Sequence, residues 1–326
     1  MTLRAKTDET PHISVMLDEV LAALKPAKGE VYADGTFGAG GYSKAVLDSA
    51  DCAVIGIDRD KSALWLGEDL KKIYEDRLIL KHGRFSEIAR LAAESGYPRI
   101  DGFMLDLGVS SMQIDQAERG FSFRFDGPLD MRMNQEGDEP SAADIVNTWD
   151  EEDLAHIIWK YGEERHSRRI ARCIVEARKE NPITRTGRLA DIVRAAVPRS
   201  FADKIDPATR TFQALRIVVN AEMEELEQAL AAAVSVLKPG GRLVVVSFHS
   251  LEDRIVKNFM QEQAGMTARS SRHLPDIPQQ GDSSGAAFTL PSRKAVFPTD
   301  HELETNPRAR SARLRVAVRT AEGGRG

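Results

Sequence analysis

Val31-Tyr32-Ala33-Asp34-Gly35-Thr36-Phe37-Gly38-Ala39-Gly40-Gly41-Tyr42-Ser43 is the stretch that decides the fold. An apolar run ends at Asp34, four glycines follow at Gly35, Gly38, Gly40 and Gly41, and polar Ser43 opens a helix-like stretch. Glycine adopts positive φ readily and puts no side chain between the backbone and a ligand. A strand that enters such a turn and leaves it as a helix is how open α/β sheets receive a nucleotide-like ligand. Val54-Ile55-Gly56-Ile57-Asp58 supplies the second half of the signal, an apolar strand ending in a carboxylate 58 − 40 = 18 residues after Gly40. That is close to the roughly 20-residue spacing at which an acid meets ribose hydroxyls.

Working outward, His12 to Leu24 has the spacing of an amphipathic helix, and the strands 31–34 and 53–58 are followed by a helix over 61–74. A short strand at 78–80, a helix over 85–95 and a strand over 100–107 continue the alternation, which implies a parallel sheet. The rhythm breaks at a Gly- and Arg-rich loop over 112–135, and from Ser141 to about Val197 the pattern is helical only, with caps at Ser141, Asp150 and Thr186. Helices over 207–221 and 222–237 lead to the stop Lys238-Pro239-Gly240-Gly241 and a fifth strand, 242–248. Ser250 with Asp253 resembles a capping box for the next helix. The stretch 264–292, rich in Ser, Gly, Pro and Gln, reads as a loop. Residues 312–319 alternate apolar with Arg, a half-exposed closing strand at the sheet edge. The predicted architecture is a discontinuous α/β Rossmann-like domain, 1–112 and 207–326, with an all-helical domain inserted at 113–206.

The bulk numbers exclude several classes. With 326 residues, 42% hydrophobic and 29% charged, the chain has room for one large soluble domain plus an insertion. It has no run near the roughly 18 apolar residues of a membrane span, and the polar start lacks a signal-peptide core, so a cytoplasmic protein is expected. Cys52 and Cys173 have no metal-ligand spacing, and no metal is expected. The net charge of −5 hides an asymmetry. Residues 160–216 carry 14 Lys/Arg against 7 Asp/Glu, and 264–326 carry 10 against 6, leaving −16 elsewhere. Two basic segments on an acidic chain suit a polyanion surface; Arg-rich helices bridged to their own Glu residues are the alternative.

Gly38-Ala39-Gly40-Gly41-Tyr42-Ser43 nearly meets the dinucleotide fingerprint but ends on Ser in place of Gly or Ala. A nicotinamide oxidoreductase is therefore one reading. Asp34 favours S-adenosylmethionine, because it would face an amino group and would repel a pyrophosphate. The turn 237–243 and the closing strand also resemble elements of Rossmann-like methyltransferases.

The blocks 34–38 (DGTFG), 105–111 (LDLGVSS), 127–132 (GPLDMR), 161–165 (YGEER), 210–216 (RTFQALR), 247–254 (SFHSLEDR) and 306–311 (NPRARS) together resemble the MraW-type family of bacterial 16S rRNA cytosine-N4 methyltransferases, from His12 to Arg315. The resemblance implies S-adenosylmethionine as cofactor and the N4 amine of one cytidine in the decoding region of the small ribosomal subunit as target. It also implies that Gly40, Gly41, Tyr42, Asp58, Phe85, Asp106 and Gln113 contact the cofactor. The residue pattern adds Asp34 and Gly38, and agrees on Asp58, Phe85 and Asp106, each at or just after a strand's carboxyl end. Methylation of another amine in RNA or DNA, and a non-catalytic RNA-binding assembly factor, are the competing readings.

Methyl transfer from a sulfonium needs in-line approach and no protein nucleophile, so positioning carries much of the rate. An acceptor on the amine N–H would take up developing positive charge, and Asp106 is the candidate, with a purely cofactor-binding role as the alternative. His249 follows the fifth strand and either faces the target base or caps the next helix. Phe121, Phe123 and Phe125 either stack on an extruded base or pack the insert. Arg165, Arg168, Arg169 and Arg172 fall at helical spacing on one face, and with Arg210 and Arg216 they could track an RNA backbone. The partner is 16S rRNA or the small ribosomal subunit, met by a monomer or homodimer.

Overall fold

The computed structural model describes residues 14–198, 205–266 and 285–321. The chain divides into two compact units, 1–108 with 226–326, and 109–225.

In the first unit the predicted alternation is present. The order is α1 (Leu17–Leu24), β1 (Val31–Asp34), α2 (Gly41–Ser49), β2 (Ala53–Asp58), α3 (Lys61–Tyr74), β3 (Leu78–His82), α4 (Ile88–Glu94) and β4 (Ile100–Asp106). The helix predicted from His12 starts only at Leu17, because Met16 takes a left-handed φ of 53° that no helix continues through; residues 12 and 13 lie outside the described residues. The sheet order is β3-β2-β1-β4-β5-β7-β6, with β5 (Leu237–Ser247), β6 (Phe288–Thr289) and β7 (Arg313–Arg319) completing it after the second unit. β1 to β5 pair in parallel, while β7 runs antiparallel between β5 and β6. The closing strand is thus not the edge, as its alternation suggested. Leu314 is buried toward one face and Ala317 toward the other. Of the loop predicted over 264–292, residues 267–284 lie outside the described residues.

Strand order reverses between β1 and β4, so the carboxyl ends of β1, β2 and β4 meet at a switch point, the place where open α/β sheets bind ligands. Odd positions Val31, Ala33, Ile55, Ile57, Phe103 and Leu105 point to a core shared with α4. Even positions Tyr32, Val54 and Met104 point to a core shared with α1 and α2. Burial on both faces explains why these strands read as continuous apolar runs. The predicted stop at Lys238–Gly241 is absorbed into β5: Ile100 pairs with Leu237 and Gly102 with Arg242, so three extra residues bulge from β5.

The second unit holds α5 (Ser111–Asp115), α6 (Ala142–Thr148), α7 (Glu151–Gly162), α8 (Ser167–Glu180), α9 (Thr186–Ala196), α10 (Ala208–Val219) and the start of α11 (Glu222–Val236). The sequence reading ended the insert at 206. Here α10 packs on α7 and α9, with Phe212 and Leu215 in the helical core, so the helical unit runs on to Glu225. Ser141 caps α6 as read. Thr186 is instead the first residue of α9, its Oγ1 accepting from Gly127 N–H at 3.0 Å. Within the long loop, buried Asn220 donates to Met131 O and accepts from Met133 N–H, both at 2.8 Å, holding Met131 at φ 63°. Phe121 and Phe123 pack against the helical core, Phe123 edge-on to Phe212 at 4.8 Å, whereas Phe125 is exposed.

Three of the glycines in the first unit serve Phe37. A Cβ at Gly40, Gly56 or Gly67 would lie 2.8, 2.4 or 2.5 Å from its buried ring. Gly56→Ala should therefore cost about 1–3 kcal/mol of stability by overpacking. Adding Phe37→Leu should recover part of that loss, as read from urea unfolding midpoints.

Candidate active site

Asp34, Asp58 and Asp106 end β1, β2 and β4 on the carboxyl edge of the sheet. Asp34 is buried, with Oδ2 accepting from Ser43 Oγ at 2.8 Å and Oδ1 from Thr36 N–H at 3.2 Å. Ser43 and Thr36 flank the glycine turn, so the carboxylate fixes both of its ends. Burial raises the Asp34 pKa to about 6 against the opposing pull of those two bonds. Asp58 accepts from Gly38 N–H and Asp60 N–H, each at 2.8 Å, and burial likewise raises its pKa to about 6. The Asp106 main chain is pinned by its N–H donating to Thr36 Oγ1 at 2.7 Å. Its Oδ1 is buried without a hydrogen-bond partner among the described residues. Burial, and then the charges of Asp34 and Glu252, hold the Asp106 carboxyl well above the usual carboxylate range.

A buried oxygen left without a donor costs about 1–3 kcal/mol unless something binds it. Three carboxylates with raised pKa values on one sheet edge favour a cationic or N–H-bearing ligand, which would return them to the ionised state. Gly38, at φ 54° with no atom nearer to a built Cβ than Thr36 O at 3.8 Å, leaves its backbone open to such a ligand. The donor set thus fits the amino-acid end and ribose of S-adenosylmethionine. The other glycines do different work: a Cβ at Gly35 would meet Leu105 at 2.5 Å, and one at Gly41 would meet Ser14 Oγ at 2.0 Å.

The remaining expected residues separate. Phe85 is half-buried, opens the short turn before α4 and packs on the core beneath β4. The Tyr42 ring is only 4% exposed and its hydroxyl donates to Val15 O, so it offers a ligand no side-chain contact. Gln113 sits in the second unit, where its Oε1 accepts from Ser110 N–H at 3.1 Å and its own N–H bonds Ser110 Oγ, a capping box for α5. His249 caps α12 (Ser250–Gln263), where the sequence reading put Ser250 with Asp253. Its Nδ1 accepts from Glu252 N–H at 3.4 Å, and Nε2 lies 3.1 Å from the Glu252 carboxylate. That geometry is the helix cap of the two roles, made through Nδ1, while Nε2 is buried without a hydrogen-bond partner among the described residues. Sequence reasoning missed Glu252, which is 1% exposed, accepts from Phe248 N–H at 2.8 Å and adds its charge toward Asp106.

In the second unit, Arg168, Arg169 and Arg172 on α8, and Arg165 just ahead of it, are all exposed. Arg172 lies 3.7 Å from Glu151, and Arg210 lies 3.4 Å from buried Glu164. Arg216 makes a two-pronged pair with Glu222, both bonds at 2.8 Å, and only 15% of its side chain is exposed. Its guanidinium is engaged within the unit. The two alternatives drawn from charge divide the row between them.

The family model of the MraW methylases matches residues 9–320. The ribosomal RNA small subunit methyltransferase H of Paramagnetospirillum magneticum is 57% identical, covering 95% of this chain and 96% of that one. Its namesake in Rhodospirillum rubrum is 56% identical, covering 95% of both. An rRNA methylase structure from Streptococcus thermophilus is 10% identical with a TM-score of 0.42, covering 95% of this chain and 99% of the other. That likeness adds nothing to the sheet order.

A carboxylate whose folded pKa is about 6 loses its charge as pH falls through 6, and with it the attraction for a cation. The dissociation constant for S-adenosylmethionine should rise between pH 7 and pH 5, by up to about tenfold per pH unit for each coupled carboxylate. Binding near pH 6 should release protons, as titration calorimetry in two buffers of different ionisation enthalpy would read. A flat affinity and no proton release would remove Asp34 and Asp58 from the ligand.

Proposed function

We infer the activity from membership: the chain belongs to the MraW methylase family, and its relatives are named for methylation of small-subunit ribosomal RNA. The chain is read here as an S-adenosylmethionine-dependent methylase of 16S rRNA, acting in the cytoplasm on the exocyclic N4 amine of a cytidine in the decoding region. The observation that carries the amine as acceptor is the unpartnered, buried Oδ1 of Asp106 at the switch point. Among the described residues no helix is long and apolar enough to cross a membrane.

When bound, the cofactor supplies an electrophilic methyl group on a sulfonium. The protein's part is to place the nucleophile and hold its protons. The amine of cytosine is a poor nucleophile because its lone pair is delocalised into the ring, and accepting one N–H at Asp106 Oδ1 shifts that nitrogen toward sp³ geometry. Burial and the charges of Asp34 and Glu252 oppose ionisation of Asp106, and a cationic ligand beside it would offset them. Asp34 and Asp58 would hold the amino-acid and ribose ends beside the turn that they brace. Extruding the cytidine from its stack costs a few kcal/mol, which contacts elsewhere on the RNA must offset.

Mass spectrometry of small-subunit RNA digests, with and without the protein, should show N4-methylcytidine at one position; methylation on carbon or on a purine would overturn the reading. Asp106→Asn should lower turnover by about 10²-fold or more at saturating cofactor, beyond any loss of cofactor affinity measured separately, since a neutral amide accepts the proton's charge poorly. Unchanged turnover would remove the acceptor role. Arg168→Glu with Arg169→Glu should weaken RNA binding and flatten its dependence on salt, read as the slope of log K against log salt concentration.

A further inference from the structure

The corner between α7 and α8 is a more built feature than a charged helix face requires. Gly162 ends α7 where a Cβ would lie 2.6 Å from Arg210 O, and Glu163 follows at a left-handed φ of 50°. Next, Glu164 is 4% exposed, with Oε1 accepting from His166 N–H at 2.8 Å and Oε2 3.4 Å from Arg210. The turn is therefore fixed from inside. Its outside carries Trp159, 61% exposed, with the exposed His156 ring 6.2 Å away and tilted by 48°.

The Glu151–Arg172 contact at 3.7 Å sets the antiparallel level of the two helices. Eight residues along α7 from Glu151, about 12 Å, lies Trp159. Seven residues back from Arg172 lies Arg165, in the turn before α8, with Arg168 and Arg169 in the first turn of that helix. These three guanidinium groups have no ion-pair partner within 4 Å among the described residues. An exposed indole near the end of α7, with unpaired guanidinium groups on the turn and first turn of α8 that follow, supplies the two elements that bind single-stranded nucleic acid: a ring for a base and cations for phosphates.

We propose that this corner is a platform for an unpaired stretch of the RNA substrate, Trp159 stacking one base while Arg165, Arg168 and Arg169 hold the flanking phosphates. It rests on the reading of the chain as an rRNA methylase and names a substrate contact made by the second unit. It would supply binding that helps offset extrusion of the target.

Trp159→Ala removes an exposed ring, and unaltered circular dichroism will verify its fold. With unmethylated small subunits, the variant should raise KM about tenfold and leave kcat within about twofold, while Trp159→Phe keeps most of the affinity. In a Trp65→Phe background, a single-stranded oligocytidine should quench the emission lost in Trp159→Ala, and a duplex of equal length should not. An unchanged KM overturns the platform, as does a raised KM without quenching, which would mean a protein contact on the subunit. Should the wild-type chain methylate no small-subunit RNA, the proposed function falls, and the oligocytidine quench still decides the platform by itself.

Discussion

The Phe37 ring sits where the turn after β1, the middle of β2 and the body of α3 converge, and each of them contributes a glycine to make room for it. Interiors packed to crystal density leave no slack for a methyl group at such a place. The ring therefore fixes how closely the turn lies against β2 and α3. That distance in turn puts Gly38 N–H within 2.8 Å of Asp58 and lets Asp34 reach both Thr36 and Ser43. Displacing the ring would slacken the two carboxylate bridges that brace the ligand-facing turn. A glycine-rich loop usually described by its openness is here shaped largely by one aromatic side chain it encloses.

The electrostatics of the sheet edge follow from the same compactness. Asp34, Asp58 and Asp106 are carried there by mostly apolar strands, so burial acts on all three, and a neighbouring carboxylate adds to each: Asp58 on Asp34, Asp60 on Asp58, and Asp34 with Glu252 on Asp106. Left alone, such a cluster reduces stability at neutral pH. It is retained where it meets a ligand that is itself positive, which is the condition a sulfonium and an ammonium satisfy. The same logic assigns Glu252 a part beyond capping, since its charge reaches Asp106 while its oxygens hold the start of α12.

The strands and most helices were legible because doubly covered parallel strands and one-sided helices leave strong periodic signals. The boundaries that failed did so for local reasons. Met16 stops α1 through a single left-handed residue, and Lys238–Gly241 bulges where proline and glycines suggested a clean stop. α10 belongs to the helical unit through packing that its own periodicity does not encode. At the candidate site, acidic strand ends could be read from the sequence, but the burial of Tyr42 and the pairing of Arg216 with Glu222 could not. Each depends on a partner far from any motif, or on which side of a helix faces inward. His249 was open between two roles because a cap and a ligand contact use the same residue at the same position.

β4 ends at Asp106 and its neighbour β5 begins at Leu237, with the whole helical unit made in between. Met16 N–H, near one end of the chain, bonds the Glu302 carboxylate 286 residues later. In the helical unit α7 packs on α8 and α8 on α9, neighbours along the chain, and local contacts form fastest. During synthesis the first four strands must therefore wait, with the β4 edge unpaired, while the helices emerge and condense. The sheet closes only when the last tenth of the chain arrives. An unpaired parallel edge held for that long is a template for association with other chains. The consequence is kinetic: chaperone demand during translation should concentrate in the interval between β4 and β5.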